Sequence, residues 1–366
     1  MALSEKDVRT ALARVTDPEL RAPLTELDMV GNITITPTTL AVEIRLTIVG
    51  CPAAASIEAD TRAALEKICG DLTLDLSVGV MTPDQRSTLI NRLRKGKAPT
   101  NPFTPDSLTR VIAVTSGKGG VGKSSLTVNL AAAVSQQGFS VGIIDADVFG
   151  FSIPGLLGLA STQPTRIDDM MLPPIAHDIK VLSIGMFIDD QAVAWRGPLL
   201  HRTLEQFLTD SYFGDLDFLF LDLPPGTGDI AISVGQLLPH AEILVITTPQ
   251  PSASDVAWRS GDVARQTGQS VLGVIENMSA AVLPDGSVLD IFGSGGGQLV
   301  ADRLGVPLLG SLPLSPALRE AGDDGVPLVV SSPENSTSRT LSEIARGIIQ
   351  GGTSKLGIKL PVHSRT

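Results

Sequence analysis

Among 366 residues there are only two cysteines, four histidines, two tryptophans and one tyrosine. Two thiols, Cys51 and Cys69, cannot build a disulfide framework, so a reducing compartment is expected. His177, His201, His240 and His363 are scattered, with no H-E-x-x-H or Cys/His spacing, which argues against a protein-bound zinc site. Basic charge is scarce as well. The 28 Lys and Arg face 39 Asp and Glu, a net charge of −11 that disfavours a broad electropositive face for nucleic acid or anionic membrane. Every long apolar stretch is interrupted before membrane-spanning length, and the opening MALSEKDVRT is too polar for a secretory signal. A cytoplasmic protein is the expectation.

What is present is aliphatic: 43% of residues are hydrophobic but only 4% aromatic, enough for a sizeable core. The length predicts two or three domains. Residues 1–91 read as a small α+β domain. Ser4 caps an apolar-periodic helix carrying Val8, Leu12 and Val15, and strands follow around Val30–Thr36 and Leu40–Val49. Pro52 opens a helix with Ile57, Ala64, Leu65 and Ile68 on one face, and residues 72–80 alternate as a strand should. Residues 92–107, RLRKGKAPTNPFTPDS, are polar and hold three prolines, which suits a linker. Its four cations, Arg92, Arg94, Lys95 and Lys97, read as a solvated connector or as a local nucleic-acid contact.

Residues 108–350 alternate buried-strand and helix patterns. Strands are predicted at Arg110–Thr115, Ser140–Ile144, Ile179–Ile184, Phe218–Leu221, Ala241–Thr247 and Ser270–Ile275, with helices over Ser124–Gln137 and Asp255–Gln266. That order predicts an α/β domain whose mostly parallel sheet carries helices on both faces. Residues 351–366 read as a flexible tail.

The strongest signal is SGKGGVGKSS at 116–125, in which Gly117 through Ser124 match G-x-x-x-x-G-K-[ST] between a strand and a helix. In such a loop Gly117, Gly119, Gly120 and Gly122 let backbone N–H groups turn toward phosphate oxygens, together with those of Val121 and Ser125. The helix N-terminus adds its unpaired N–H groups. Lys123 is expected at the β- and γ-phosphates of ATP and Ser124 on Mg²⁺. Lys118 supplies a second ammonium in the same loop, either solvated or phosphate-directed. Asp222 ends the apolar run Phe218–Leu221 and is the candidate carboxylate for the Mg²⁺ shell, with Gly226 and Gly228 freeing the loop behind it. Asp147 is the candidate to orient attacking water, with Asp145 in support, ahead of a switch-like FGFSIPG. Cys51, just before Pro52, reads either as a packed cap residue or as a thiolate stabilised by a helix N-terminus. Cys69 reads as helix-end packing.

Taken together, these blocks closely resemble the Mrp/ApbC-type iron–sulfur cluster carrier ATPases of the MinD/ParA-like P-loop NTPase group. DPEL at 17–20, LDMV at 27–30 and GCP at 50–52 resemble the MIP18-like domain often fused in front. SGKGGVGKSS, DADVFGFSIP, WRGP at 195–198, DLPPGTGD, ENMS at 276–279 and IFGSGGG at 291–297 resemble successive blocks of the ATPase domain. The resemblance implies a Mg-dependent ATPase acting as a homodimer that delivers iron–sulfur clusters to apoprotein clients or assembly proteins. It also implies that Lys118 acts across the dimer and that Asn277 faces adenine. One departure stands out. Where many members carry C-x-x-C between ENMS and IFG, this chain has Leu283 and Gly286, neither of which ligates iron. A labile cluster would then involve Cys51 or a partner's thiols, and the alternative is a cluster-independent regulatory or assembly ATPase.

Overall fold

The computed structural model describes residues 3–187, 197–282 and 287–351. Near the N-terminus, helix α1 (Glu5–Leu12) starts where Ser4 Oγ accepts the Asp7 N–H and Asp7 returns the contact to the Ser4 N–H. Its apolar positions Val8 and Leu12 are buried. Strands β1 (Val30–Ile35) and β2 (Thr39–Leu46) pair antiparallel, and β3 (Thr73–Val80) joins β2 in parallel after the crossover helix α2 (Ala54–Cys69). In β2 the side chains of Leu40, Val42, Ile44 and Leu46 alternate into the core, the period-two rule at work.

A helix not foreseen from periodicity, α3 (Pro83–Leu93), closes this unit. Its start was written in TPDQ: Thr82 Oγ1 accepts the Gln85 N–H at 3.3 Å while Gln85 Oε1 accepts the Thr82 N–H at 2.8 Å.

The second unit is built on an eight-stranded sheet. Its members are β4 (Arg110–Ser116), β5 (Val141–Asp145), β6 (Ile175–Ala176), β7 (Ile179–Ser183), β8 (Phe218–Asp222), β9 (Glu242–Thr247), β10 (Ser270–Glu276) and β11 (Leu308–Ser311). Their spatial order is β6-β7-β5-β8-β4-β9-β10-β11, and every pair is parallel except the β6–β7 hairpin at one edge. Burial on both faces explains why these strands read as continuous Val/Ile/Leu runs. One face is covered by α4 (Lys123–Ser135) and the C-terminal helix Ser336–Gln350, through residues such as Leu126, Leu130, Leu341 and Ile348. The opposite face is covered by Gly197–Thr209, Asp229–Leu237, Pro251–Gln266 and Gly296–Leu304. This is the doubly covered α/β sheet expected from the sequence.

The two units share a core. A short hairpin of the second unit, Thr165–Ile167 paired with Met170–Leu172, sends Ile167, Met170 and Leu172 into the cluster that contains Val8, Leu24 and Leu89. Ion pairs Arg86–Asp168 (2.9 Å), Arg94–Asp169 (3.0 Å) and Arg21–Asp178 (2.9 Å) flank that insertion. The tail expected at 351–366 lies, beyond Gly351, outside the described residues, as do Leu283, Gly286 and the first half of WRGP.

Candidate active site

Strand β4 ends at Ser116 and α4 begins at Lys123, so the intervening loop sits at the carboxyl end of the sheet, between β8 and β9. Gly120 and Gly122 adopt φ of 77° and 83°, which favours glycine at both positions. Gly117 is required for a different reason: a Cβ there would lie 2.3 Å from the backbone nitrogen of Ala257. Ser116 Oγ donates to the Lys118 carbonyl at 2.9 Å, and the Gly226 N–H donates to the Ser116 carbonyl at 2.7 Å. The loop is therefore braced by both neighbouring segments.

Around it lies an open cleft of about 380 Å³, floored by loop residues from Lys118 to Ser125 and walled by Asp147, Phe149 and Pro225. Val121 instead points into the core, and its carbonyl accepts the Asn277 Nδ2–H at 2.9 Å. Asn277 is itself buried, and its backbone N–H donates to the Thr247 carbonyl. In this arrangement its amide braces the loop from below.

The charged groups converge. Lys123 Nζ lies 2.6 Å from Asp222 Oδ2 and 3.7 Å from Asp147 Oδ2. Ser124 Oγ donates to the same Asp222 oxygen at 2.5 Å, and Thr127 Oγ1 donates to Asp222 Oδ1 at 2.9 Å. Thr127 went unnoticed in the sequence; its place four residues after Lys123, on the same helix face, was the available signal. Lys118, by contrast, is exposed at the cleft mouth and makes no ion pair among the described residues.

Register explains the carboxylate cluster. Asp222 on β8 is directly opposite Asp145 on β5, and Asp145 in turn is opposite Ser183 on β7. Asp145 is fully buried and accepts hydrogen bonds from Ser183 Oγ (3.0 Å) and the Asp147 N–H (3.1 Å). Burial, reinforced by the charge of Asp222, pushes its carboxyl up to about 8. Asp147 lies just past the strand, and its Oδ1 accepts the N–H groups of Phe149 (3.3 Å) and Gly150 (3.1 Å). That pins the start of the FGFSIPG loop to the cleft.

Cys51 departs from one expectation. A nearby backbone N–H of Ala53 does favour its thiolate, but burial outweighs it, and Glu19 and Asp17 add repulsion. The thiol is pushed up to about 11 rather than lowered. Its Sγ lies 3.7 Å from Glu19 Oε2, and Glu19 Oε1 accepts the Thr165 hydroxyl at 2.5 Å. Burial raises the Glu19 and Asp17 carboxyls as well. Cys69 is half-buried at the end of α2, and both cysteines are free thiols. Among the described residues no cluster of three or more His, Cys, Asp or Glu has the arrangement of a metal site.

Comparison with known proteins accords with this architecture. Residues 5–73 match the family model described as iron-sulfur cluster assembly protein. The iron-sulfur cluster carrier protein of Mycobacterium tuberculosis (strain ATCC 25618 / H37Rv) is 54% identical over 351 residues, covering 93% of this chain and 92% of that one. The protein of the same description from Escherichia coli (strain K12) is 37% identical over 341 residues, covering 92% and 89%. Among solved structures, a nucleotide-binding protein of Archaeoglobus fulgidus in complex with ADP superposes with a TM-score of 0.54 at 33% identity, over 64% of this chain and 95% of that one. The cell division ATPase MinD of Pyrococcus furiosus shares the fold, with a TM-score of 0.51 at 24% identity over 66% of this chain and 98% of that one. Residues 107–349, more than half the protein, match the model of the NUBPL iron-transfer P-loop NTPases, and the chain belongs to that family.

Proposed function

We propose that this protein is a Mg-dependent ATPase that carries iron–sulfur clusters to apoproteins, working in the cytoplasm as a homodimer. The observation that carries the proposal is the convergence of Lys123 and Ser124 on one oxygen of Asp222 beside the Gly117–Ser125 loop. Family membership and the description shared by its relatives supply the cargo.

The donor set fits magnesium. Ser124 Oγ and Asp222 Oδ2 are hard oxygen donors side by side, and they would hold Mg²⁺, which neutralises charge on the β- and γ-phosphates. Lys123 moves off Asp222 onto the phosphates when nucleotide enters. The exposed N–H groups of the loop and of the first turn of α4 orient the phosphate chain. Asp147, anchored through its Oδ1, retains Oδ2 to accept a proton of the attacking water. Gly226, with φ of 91°, lets the loop after Asp222 respond to loss of the γ-phosphate.

The homodimer is supported by the exposed Lys118 ammonium and by Phe149, 77% exposed at the cleft. A second subunit would cover the ring and receive the lysine at its own nucleotide. No helix among the described residues is long and apolar enough to cross a membrane.

The cargo poses a stoichiometric constraint. One chain has two thiols, and Leu283 and Gly286 supply none where relatives of the resembled family carry theirs. A cluster in transit would then draw on Cys51 or on the thiols of a second subunit or a client, and Cys51 would have to leave its buried, protonated state to serve. Anaerobic reconstitution with iron and sulfide tests this. The expected result is a cluster chromophore that is transferable to an apoprotein and lost in Cys51→Ser, with ATPase activity retained. Neither iron uptake nor transfer, with ATP hydrolysis intact, would establish the cluster-independent ATPase instead.

A further inference from the structure

The three-stranded sheet of the N-terminal unit ends on β3, and none of its residues Thr73–Val80 is buried. Register with β2 runs unbroken from Thr39–Thr73 to Leu46–Val80. The Thr73 N–H donates to the Thr38 carbonyl and the Met81 N–H to the Leu46 carbonyl, both at 2.8 Å. Bonded residues alternate along a parallel ladder, so Thr73, Asp75, Ser77 and Gly79 turn their N–H and C=O groups toward β2. Leu74, Leu76, Val78 and Val80 turn theirs outward, where no strand among the described residues meets them.

The side chains alternate as well. Leu74, Leu76, Val78 and Val80 stand opposite Leu40, Val42, Ile44 and Leu46, which share a core with Ile57 and Leu65 of α2. Ile44 and Leu46 are buried there, yet Val78 and Val80 are each 39% exposed. The core thins out at this edge. Natural sheets commonly blunt such an edge with a lysine, a proline or a bulge. The opposite edge strand, β1, has an irregularity of that kind between Val30 and Ile33. Strand β3 has no lysine, no proline and no break in register.

Charge narrows what could pair with it. From Asp71 to Gln85 the chain holds three aspartates, Asp71, Asp75 and Asp84, and neither Lys nor Arg. Asp71 and Asp75 are exposed and make no ion pair among the described residues. Asp75 stands opposite Ala41, on the face away from the apolar side chains, and the neighbouring Glu43 is already tied to Arg45 at 2.6 Å. A strand laid along β3 would set every second residue beside Val78 and Val80 and the residues between them beside Asp75. The first set is satisfied by apolar side chains and the second by cations. A second copy of β3 would add acid to acid and bring no cation, which disfavours self-pairing.

We infer that the outer edge of β3 is a docking site for an extended segment of another protein that alternates apolar and basic residues, added as a fourth strand. Its backbone would take up the outward N–H and C=O groups, and its side chains would supply the selectivity. The inference does not rest on the ATPase reading, since no residue of β3 lines the phosphate cleft.

The test is residue-resolved amide hydrogen exchange on the full-length protein, alone and with an acetylated, amidated hexapeptide alternating Lys and Val. The same peptide with Glu in place of Lys serves as the control. The expected result is that the amides of Leu74, Leu76, Val78 and Val80 exchange freely in the protein alone and slow about tenfold or more with the Lys peptide. The Glu peptide should leave them unchanged. Val78→Pro removes one outward N–H while sparing the ladder to β2, and should weaken the Lys peptide about tenfold. Asp75→Lys, at an exposed position, should weaken it by a similar factor and guards against misfolding of the proline variant. Four amides already slow without peptide would mean that the edge is covered by the chain itself or by a second copy, and would overturn the assignment. So would no slowing with the Lys peptide, equal slowing with the Glu peptide, or unchanged affinity in both variants.

Discussion

Asp222 Oδ2 is shared by two neighbours on α4, with Lys123 Nζ at 2.6 Å and Ser124 Oγ at 2.5 Å. Under the proposed function, the carboxylate that would serve the metal would also hold the lysine proposed for the phosphates until nucleotide arrives. Both charges are deeply buried, so their mutual attraction is strong and each depends on the other.

Asp222→Asn should separate the two roles. It releases Lys123 for phosphate while removing a charged donor for magnesium. Nucleotide binding in EDTA should be retained or tightened, and Mg-dependent hydrolysis should fall by about two orders of magnitude. Calorimetry with and without metal, beside steady-state hydrolysis, checks both halves. Hydrolysis at the wild-type rate would remove Asp222 from the mechanism.

Two glycines of the loop should behave differently. A Cβ at Gly117 would lie 2.3 Å from the Ala257 backbone, whereas at Gly119 the nearest group is Pro225 Cγ at 3.9 Å. Gly117→Ala should cost about 1–3 kcal/mol in denaturant unfolding through overpacking. Gly119→Ala should unfold like the wild type. Equal destabilisation of both would mean the loop does not press on the Pro251–Gln266 helix as described.

Cys51 should be a slow nucleophile. With its thiol near 11, the thiolate fraction at pH 8 is about one in a thousand, so alkylation should run on the order of a hundredfold below that of a free cysteine. Glu19→Gln removes a neighbouring negative charge and should speed it, as timed iodoacetamide labelling read by mass spectrometry would show. The sign for stability follows. A folded-state value raised above the ordinary thiol range favours the native state at lower pH, and that advantage is lost as pH climbs through about 11. The melting temperature should fall more steeply between pH 9 and 11 in the wild type than in Cys51→Ala.

The Gly117–Ser125 loop was legible because its pattern is local: glycine, lysine and serine stand together in the chain between a strand and a helix. The aliphatic runs of β4, β5 and β8 announced a sheet buried on both faces, and Asp222 and Asp145 sit at strand ends as their sequence context implied. What escaped reading is tertiary. The Cys51 thiol is set first by burial and then by Glu19 and Asp17, more than thirty residues away, and Glu19 is engaged by Thr165 from the other unit. No period in the sequence marks Ile167, Met170 and Leu172 as core residues of a different domain. Helix α4 is buried on nearly every side, so amphipathicity could not reveal which face meets the sheet.

The most direct measurement of the central claim is steady-state Mg-ATP hydrolysis by the purified wild type and Lys123→Ala, with correct folding verified by circular dichroism. The account predicts turnover in the wild type and loss of nearly all of it in the variant. Equal rates in the two proteins would contradict it.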